Sequence, residues 1–300
     1  MTKIPSHSAL REKNSAASSS VIAAIALTLF KLTVGLMTNS LGILAEAAHS
    51  GLDLVAAVMT LTAVRFSGKP SDMKHHFGHG KIENLSALFE SLLLLLTCGW
   101  IIYEAAQRLL VSSAKVDASI WAFLVMFVSI VIDYSRSRVL YKAARKHNSQ
   151  ALEADALHFS TDIWSSSVVI VGLMVVKLSE NIPQMAWLAN ADSFAAVVVA
   201  IIVIYVSLQL GKRTVQGLLD SAPAGLREQI KRDAEKIQGI QSCHRIRIRT
   251  SGPKLFVDLH ATADPHLSLE EGHNLTLEVE RVVRALAPHS DVVVHVEPKR

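Results

Sequence analysis

The sequence predicts a multi-pass α-helical membrane protein with six spans, followed by a small α+β domain. Half of the 300 residues are hydrophobic and 19% are charged, which gives a mean hydropathy of +0.34. Long apolar runs end near residue 215, and beyond it charged residues return at the density of a soluble domain. We therefore expect a membrane domain over residues 1–214 and a second domain over residues 215–300.

Six apolar segments are long enough to span a bilayer, which requires about 20 helical residues. The first follows a polar leader that has no signal-peptide cleavage site. Only the corner Thr38-Asn39-Ser40 separates the first two segments, which predicts a tight hairpin. The predicted spans are about 20–38, 41–65, 82–108, 118–141, 152–177 and 191–210.

Basic residues predict how these spans are oriented. They are concentrated before the first span, around the 2–3 and 4–5 loops and after the sixth span. The opposite side carries only Arg108, Lys115 and Lys177. The positive-inside rule then places both termini in the cytoplasm, which requires an even number of spans. The basic residues thus indicate topology, and we expect no nucleic-acid partner.

The second domain is expected to form one sheet with both helices on one face. Gly252-Pro253 predicts a turn between two strands of alternating polarity. Ser268, followed by two acids, predicts the start of a helix. The predicted elements are a helix at 224–237, strands at 243–250 and 254–262, a helix at 268–286 and a strand at 291–297.

One nine-residue pattern, Ala-acid-Ala-x-His-x-x-x-Asp, occurs in the second and the fifth span. At about 100° per residue, its three ionisable side chains share one helical face. Each such group costs roughly 2.5–3.5 kcal/mol within a span and by default marks a functional site. Facing each other, the two copies would supply the four ligands of a divalent metal: His49, Asp53, His158 and Asp162.

The types of these ligands favour Zn²⁺, which binds four tetrahedral ligands that include His and carboxylate. The absence of a thiolate disfavours copper(I), and the two imidazoles disfavour magnesium and calcium. Cd²⁺, Fe²⁺, Co²⁺ and nickel remain open. The alternative is that each His and Asp only forms hydrogen bonds that hold the bundle together.

Other ionisable residues lie within the predicted spans. The leading acids of the two motifs, Glu46 and Asp155, either orient the histidines or stand beside a water-filled vestibule. Lys31 and Asp133 are the other ionisable residues that we place well within the spans, and we expect both to have structural roles. Lys31 is expected either to snorkel or to pair with a carboxylate on a neighbouring helix.

Two further groups of potential metal ligands lie outside the spans. In the 2–3 loop, Asp72, His75 and His79 are spaced to converge on one cation. Five residues of the second domain are distributed over the three strands and the second helix: His244, His260, His273, His295 and Glu297. The alternative is that either group consists of hydrated surface histidines without a metal.

Together with the segments Phe77–Glu83 and Arg249–Pro253, these residues resemble the cation diffusion facilitator family of six-span metal-proton antiporters. The resemblance implies a cytoplasmic ferredoxin-like domain and a homodimer. It also implies that the two motifs form the transport site, that the 2–3 loop binds zinc and that the five residues of the second domain form a binuclear site. Finally, it implies a salt bridge between Lys81 and Asp220.

Two positions depart from one bacterial branch of that family. His49 stands where that branch has Asp, which favours zinc. Arg245 stands beside His244 where that branch has an acid, and Cys243 becomes a further candidate ligand.

These features predict proton-coupled efflux of Zn²⁺ through a bacterial inner membrane. The expected partners are divalent cations, protons, lipid and a second copy of the chain. We do not expect an enzyme, because two His and two Asp fill a tetrahedral shell and leave no open position for metal-assisted hydrolysis. The alternatives are a passive zinc channel and a membrane-bound metal sensor.

Overall fold

A computed structural model describes residues 7–110, 120–179, 191–288 and 290–299. Lys115 lies outside these ranges. The membrane domain consists of six long helices. They are α1 (His7–Thr38), α2 (Leu41–Ser67), α3 (Lys81–Leu110), α4 (Ile120–His147), α5 (Gln150–Ser179) and α6 (Ala191–Leu218). Helices α1, α2, α3, α4 and α6 are long and apolar enough to cross a membrane, and α5 has 30 residues.

Several helices extend beyond their predicted ends. Helix α1 begins at His7 rather than near residue 20, and α6 continues to Leu218 rather than ending near residue 210. Lys13 and Thr214 are buried in these extensions. A hydropathy pattern predicts the end of a helix at the point where charged residues begin. Packing against neighbouring helices stabilises the helix beyond that point. Similarly, α4 ends at His147 rather than near residue 141.

The six helices pack in pairs: α1 with α2, α4 with α5, and α3 with α6. Helix α1 also contacts α4, and α5 contacts α2, α3 and α6. One core consists of small residues around Leu140, Leu152 and Phe159, among them Ala16, Ala17, Ala144, Ala151 and Ala156. Small side chains permit close approach of helices within a bilayer. This packing brings the two motif-bearing helices, α2 and α5, into contact.

The soluble domain follows the predicted α-β-β-α-β order. Its elements are α7 (Leu226–Ala234), β1 (Ser242–Ser251), β2 (Lys254–Ala263), α8 (Leu269–Leu286) and β3 (Asp291–Pro298). Strand β2 is central, antiparallel to β1 and parallel to β3. Ile230 of α7 and Val279 of α8 belong to the same buried core as Val257 and Leu259 of β2. The predicted fold class, six membrane helices followed by a small α+β domain, is confirmed.

The segment before α3 contacts the soluble domain. The Phe77 ring meets Phe256 edge-on, with centroids 5.2 Å apart, and the Arg249 guanidinium lies 3.4 Å from the centroid of the Phe77 ring. Lys81 Nζ lies 2.9 Å from Asp220 Oδ1, so the ion pair implied by the family resemblance is present. The 2–3 loop, the end of α6 and the β1–β2 turn thus form one contact region.

Substituting Gly80 by alanine is expected to loosen this contact region. A Cβ at Gly80 would lie 2.2 Å from the carbonyl oxygen of Ser251, a backbone atom that cannot move aside cheaply. Overpacking typically costs about 1–3 kcal/mol. We expect limited proteolysis of residues 219–225 to become about 5- to 140-fold faster, since 1.4 kcal/mol corresponds to a factor of ten. Gly99→Ala is the matched control, since its Cβ would meet nothing within 4 Å. Equal cleavage rates for the two variants would contradict this packing argument.

Candidate metal centre

The packing of α2 against α5 brings the repeated His and Asp residues together. His158 Nε2 lies 3.0 Å from Asp53 Oδ1 on the other helix and 3.7 Å from Asp162 Oδ2 on its own. His49 Nε2 lies 3.9 Å from Asp53 Oδ1 and 3.9 Å from Asp162 Oδ1. Each imidazole therefore faces one carboxylate from each helix.

The spacing of these atoms is compatible with a bound metal ion. Donor atoms of His49, Asp53 and Asp162 lie within 4.8 Å of one another. Four ligands about 2.0–2.2 Å from a tetrahedral zinc ion are roughly 3.2–3.6 Å apart. The four His–Asp contacts lie at 3.0–3.9 Å. His158 is not in the group whose donor atoms all lie within 4.8 Å of one another, so its side chain would have to move toward the other three to complete a four-ligand site. The contact between His158 and Asp53 is also a hydrogen bond, as the structural alternative requires.

Burial differs between the two ends of the ligand set. The side chains of His158 and Asp53 are 6% and 11% exposed, whereas that of His49 is 39% exposed. Glu46, one turn nearer the α1–α2 corner, is 47% exposed, and Asp155, one turn nearer the soluble domain, is fully buried. The protein thus encloses the ligand set less completely on the side of the α1–α2 corner than on the soluble-domain side.

The leading acids of the two motifs have different partners. Glu46 Oε2 lies 3.1 Å from Nζ of Lys31 on α1, so Lys31 pairs with a carboxylate on a neighbouring helix. Asp155 Oδ2 accepts a hydrogen bond of 3.3 Å from Ser20 Oγ. That hydroxyl oxygen in turn accepts a hydrogen bond of 3.2 Å from Arg136. Within the described residues, neither carboxylate forms a hydrogen bond to a motif histidine.

The sequence interpretation missed several buried charges in the bundle. Glu90 is fully buried in α3, although only Lys31 and Asp133 were expected as further ionisable residues well within spans. The signal was present, because Glu90 interrupts an apolar run. Arg136 and Lys13, interpreted as topology-determining charges, are buried as well. Arg136 lies 3.1 Å from Asp133, which places Asp133 in an ion pair.

The three predicted donors of the 2–3 loop converge. Asp72 Oδ1 lies 3.1 Å from His75 Nδ1, and Asp72 Oδ2 lies 3.3 Å from His79 Nε2. Backbone N–H groups of His75 and Lys74 donate to Asp72 and hold the pKa of its carboxyl below the usual value. All three residues offer donor atoms within 4.8 Å of one another. This loop therefore presents a preformed three-donor group that would suit a divalent cation.

Three of the five predicted donors in the soluble domain also converge. His244 Nε2 lies 2.8 Å from Glu297 Oε1, and His260 Nδ1 lies 3.4 Å from Glu297 Oε2. The contact with His260 lowers the pKa of the Glu297 carboxyl. His295 Nε2 lies 3.9 Å from Glu297 Oε2. His273, on α8, lines a cavity together with Glu297, but it is not one of the three residues whose donor atoms lie within 4.8 Å of one another.

Cys243, the further candidate ligand, is not among the described residues of the soluble domain whose donor atoms converge. Its side chain belongs to the hydrophobic core of the soluble domain, and burial raises the pKa of its thiol to about 11. The adjacent irregularity in the β1–β2 register includes Arg245, which has a positive φ of 49°. A buried neutral thiol is a poor metal ligand, because metals bind the thiolate.

The fold and these donor groups define a multi-pass membrane protein with candidate sites for divalent cations. Residues 18–219 match the family described as "Cation efflux transmembrane domain", and residues 222–299 match "Cation efflux protein, cytoplasmic domain". The chain therefore belongs to the cation efflux family, a family of transporters, and the resemblance noted from the sequence is confirmed.

Curated relatives match along nearly their whole length. "Cation-efflux pump FieF" of Pectobacterium atrosepticum is 31% identical over 290 residues, covering 94% of this chain and 92% of the relative. The FieF pump of Yersinia enterocolitica is 31% identical over 291 residues, covering 95% and 92%. Among solved structures, a nickel form of the MamM CTD is 19% identical, covering 26% of this chain and 100% of its own, with a TM-score of 0.25.

Proposed function

We propose that this protein exports Zn²⁺ in exchange for protons. The observation that carries the proposal is the meeting of two His-x-x-x-Asp faces, with His158 Nε2 3.0 Å from Asp53 Oδ1 across α2 and α5. His49 and Asp162 complete a set of two imidazoles and two carboxylates, the transport site of the proposal. Membership of the cation efflux family supports transport, and the ligand types support zinc ahead of Cd²⁺, Fe²⁺ and Co²⁺.

Proton exchange follows from the chemistry of the ligands. Imidazole and carboxylate bind a metal only when deprotonated, so zinc and protons compete for the same atoms. The reference pKa of histidine, about 6.5, lies between the pH values of typical compartments. Zinc arriving from the cytoplasm displaces protons, and protons from the acidic side later expel zinc.

The proposal places the protein in a bacterial inner membrane with both termini in the cytoplasm. The protein works as a homodimer in which helices α3 and α6 stay in place while helices α1, α2, α4 and α5 move. The 2–3 loop group and the soluble-domain group bind regulatory zinc. His295 belongs to the soluble-domain site through a small rearrangement, since its Nε2 is already 3.9 Å from Glu297 Oε2. His273 joins the site from the cavity that it lines together with Glu297.

Proteoliposomes with an acidic lumen test this function. We expect them to accumulate zinc against its concentration gradient, with counterflow of protons, and to lose this accumulation when a protonophore is added. A passive channel would only equilibrate zinc, and a sensor would produce no flux. Competition by Cd²⁺, Fe²⁺ and Co²⁺ in the same vesicles measures the selectivity. Zinc entry that is insensitive to the pH gradient would refute the antiport.

A further inference from the structure

Glu90 of α3 is a buried carboxyl group for which the described part of the chain provides no balancing cation. It is fully buried, and its Oε1 accepts a hydrogen bond from Thr60 Oγ1 of α2. Among the described residues, Oε2 has no hydrogen-bond partner. No lysine or arginine in the described part of the chain forms an ion pair with this carboxyl group. Glu90 is therefore not explained by a structural salt bridge.

Glu83 provides a contrast on the same helix, two turns nearer the soluble domain. It is equally buried, but Lys13 Nζ lies 2.5 Å from its Oε1. Ser67 Oγ donates to the same oxygen at 2.6 Å, and Ser149 Oγ donates to Oε2. Glu83 thus has a cation and two hydroxyl donors to stabilise its charge. Glu90 has one hydroxyl donor and, among the described residues, no cation, and a buried carboxylate without a counter-charge is energetically costly.

The surroundings of Glu90 connect it to the transport site. From α5, Ala154 packs with Ala87, one turn before Glu90, and the charges of α5 that act on Glu90 are those of Asp155 and His158. From α2 its contact is the hydroxyl of Thr60. From α6, Leu210 packs against Ala87, one turn before Glu90, and is uncharged. Asp155 Oδ1 is a second buried carboxylate oxygen without a hydrogen-bond partner among the described residues. Both acids lie on the soluble-domain side of the ligand set.

We propose that Glu90 carries protons between the transport site and the soluble-domain side of the membrane. The neutral acid releases its proton to water at that side and becomes a carboxylate. It then accepts a proton displaced from the transport site as the cation binds, and returns to the neutral acid. One proton leaves the transport site and one enters the water, so charge and atoms balance. This inference rests on the proton-coupled transport proposed above.

The variant Glu90→Gln tests the role of Glu90 in the full-length protein. Glutamine has nearly the same shape and can accept the hydrogen bond from Thr60, but it cannot carry a proton. General acid-base groups typically contribute about 10²- to 10⁴-fold to a rate. We expect the turnover number for zinc-proton exchange in proteoliposomes to fall at least about 100-fold, with the zinc KM and zinc binding in detergent unchanged. Glu90→Asp should restore much of the rate and shift its pH profile.

Glu153→Gln is the matched control, since Glu153 is a partly exposed acid on α5 paired with Arg213, and it should transport like the wild type. A wild-type rate and pH profile in Glu90→Gln would overturn the proposal. The proposal would also be overturned if Glu90→Gln and Glu90→Asp lost rate and thermal stability to the same extent, because equal losses would indicate a structural role for Glu90. A wild-type protein that moves zinc without responding to pH would overturn the antiport itself, a result distinct from the failure of Glu90 alone.

Discussion

Replacement of His158 or Asp162 by alanine is expected to abolish zinc-driven proton flux. His158 Nε2 contacts carboxylates of both motif helices at 3.0 and 3.7 Å. Removing even an outer partner of a metal ligand typically costs 10- to 100-fold in affinity or activity, so losing a ligand should cost more than about 100-fold. Flux is measured with a pH-sensitive dye inside proteoliposomes, and zinc binding is measured by calorimetry on the same preparations.

Thr161→Ala is the control for this experiment. Thr161 is buried beside Asp162, but its hydroxyl donates to the carbonyl oxygen of Leu157 within its own helix. The Thr161→Ala variant should therefore retain zinc-driven proton flux. Size-exclusion profiles must show that all variants keep the wild-type assembly. Unchanged flux in either His158→Ala or Asp162→Ala would show that the ligand set is assigned wrongly, and the hydrogen-bonded structural alternative would then stand.

The second large effect is expected from the ion pair between Lys13 and Glu83. Both side chains are buried, 7% and 0% exposed, and their charged atoms are 2.5 Å apart. The variant Glu83→Leu leaves the Lys13 ammonium buried without a counter-charge, which typically costs about 3–5 kcal/mol. The double variant Lys13→Met, Glu83→Leu removes both charges and should recover most of this stability. Unfolding in detergent, monitored by circular dichroism, compares the three proteins.

An exposed ion pair supplies the control for this comparison. Lys236 and Asp233 lie 2.7 Å apart on the soluble domain, with side chains 74% and 30% exposed. Surface pairs are typically worth about 0–1 kcal/mol, so Asp233→Asn should leave unfolding nearly unchanged. If Glu83→Leu were no less stable than Asp233→Asn, the buried pair would not hold the soluble-domain end of the bundle together.

Much of the fold could be predicted because hydropathy and periodicity are local properties. A span of about 20 apolar residues must be helical in a bilayer, where every backbone polar group needs a partner within the segment. The alternating residues after Gly252-Pro253 similarly indicated a strand, and β2 runs from Lys254 to Ala263. The start of α1 at His7 was missed, because its polar residues are helical through packing rather than through hydropathy.

The candidate site could be predicted in part for a similar reason. The spacing of His49 and Asp53 places them on one helical face whatever surrounds them. Their partners are less predictable. Glu46 forms an ion pair with Lys31, whereas Asp155 accepts a hydrogen bond from Ser20, although the two acids occupy equivalent positions in the motif. The same pattern on α2 and α5 meets different neighbouring helices, and only those neighbours distinguish the two acids.

By itself, the sequence determined that this chain spans a membrane and that each of two helices presents one His and one Asp on a single face. Spacing along a helix follows from backbone geometry, which is the same in every fold. Only the tertiary structure decided that His158 meets Asp53, that Glu83 has a cation and that Glu90 Oε2 has no hydrogen-bond partner among the residues that the structure describes. Those differences depend on packing between residues far apart in the chain, and packing decides which buried charges are balanced.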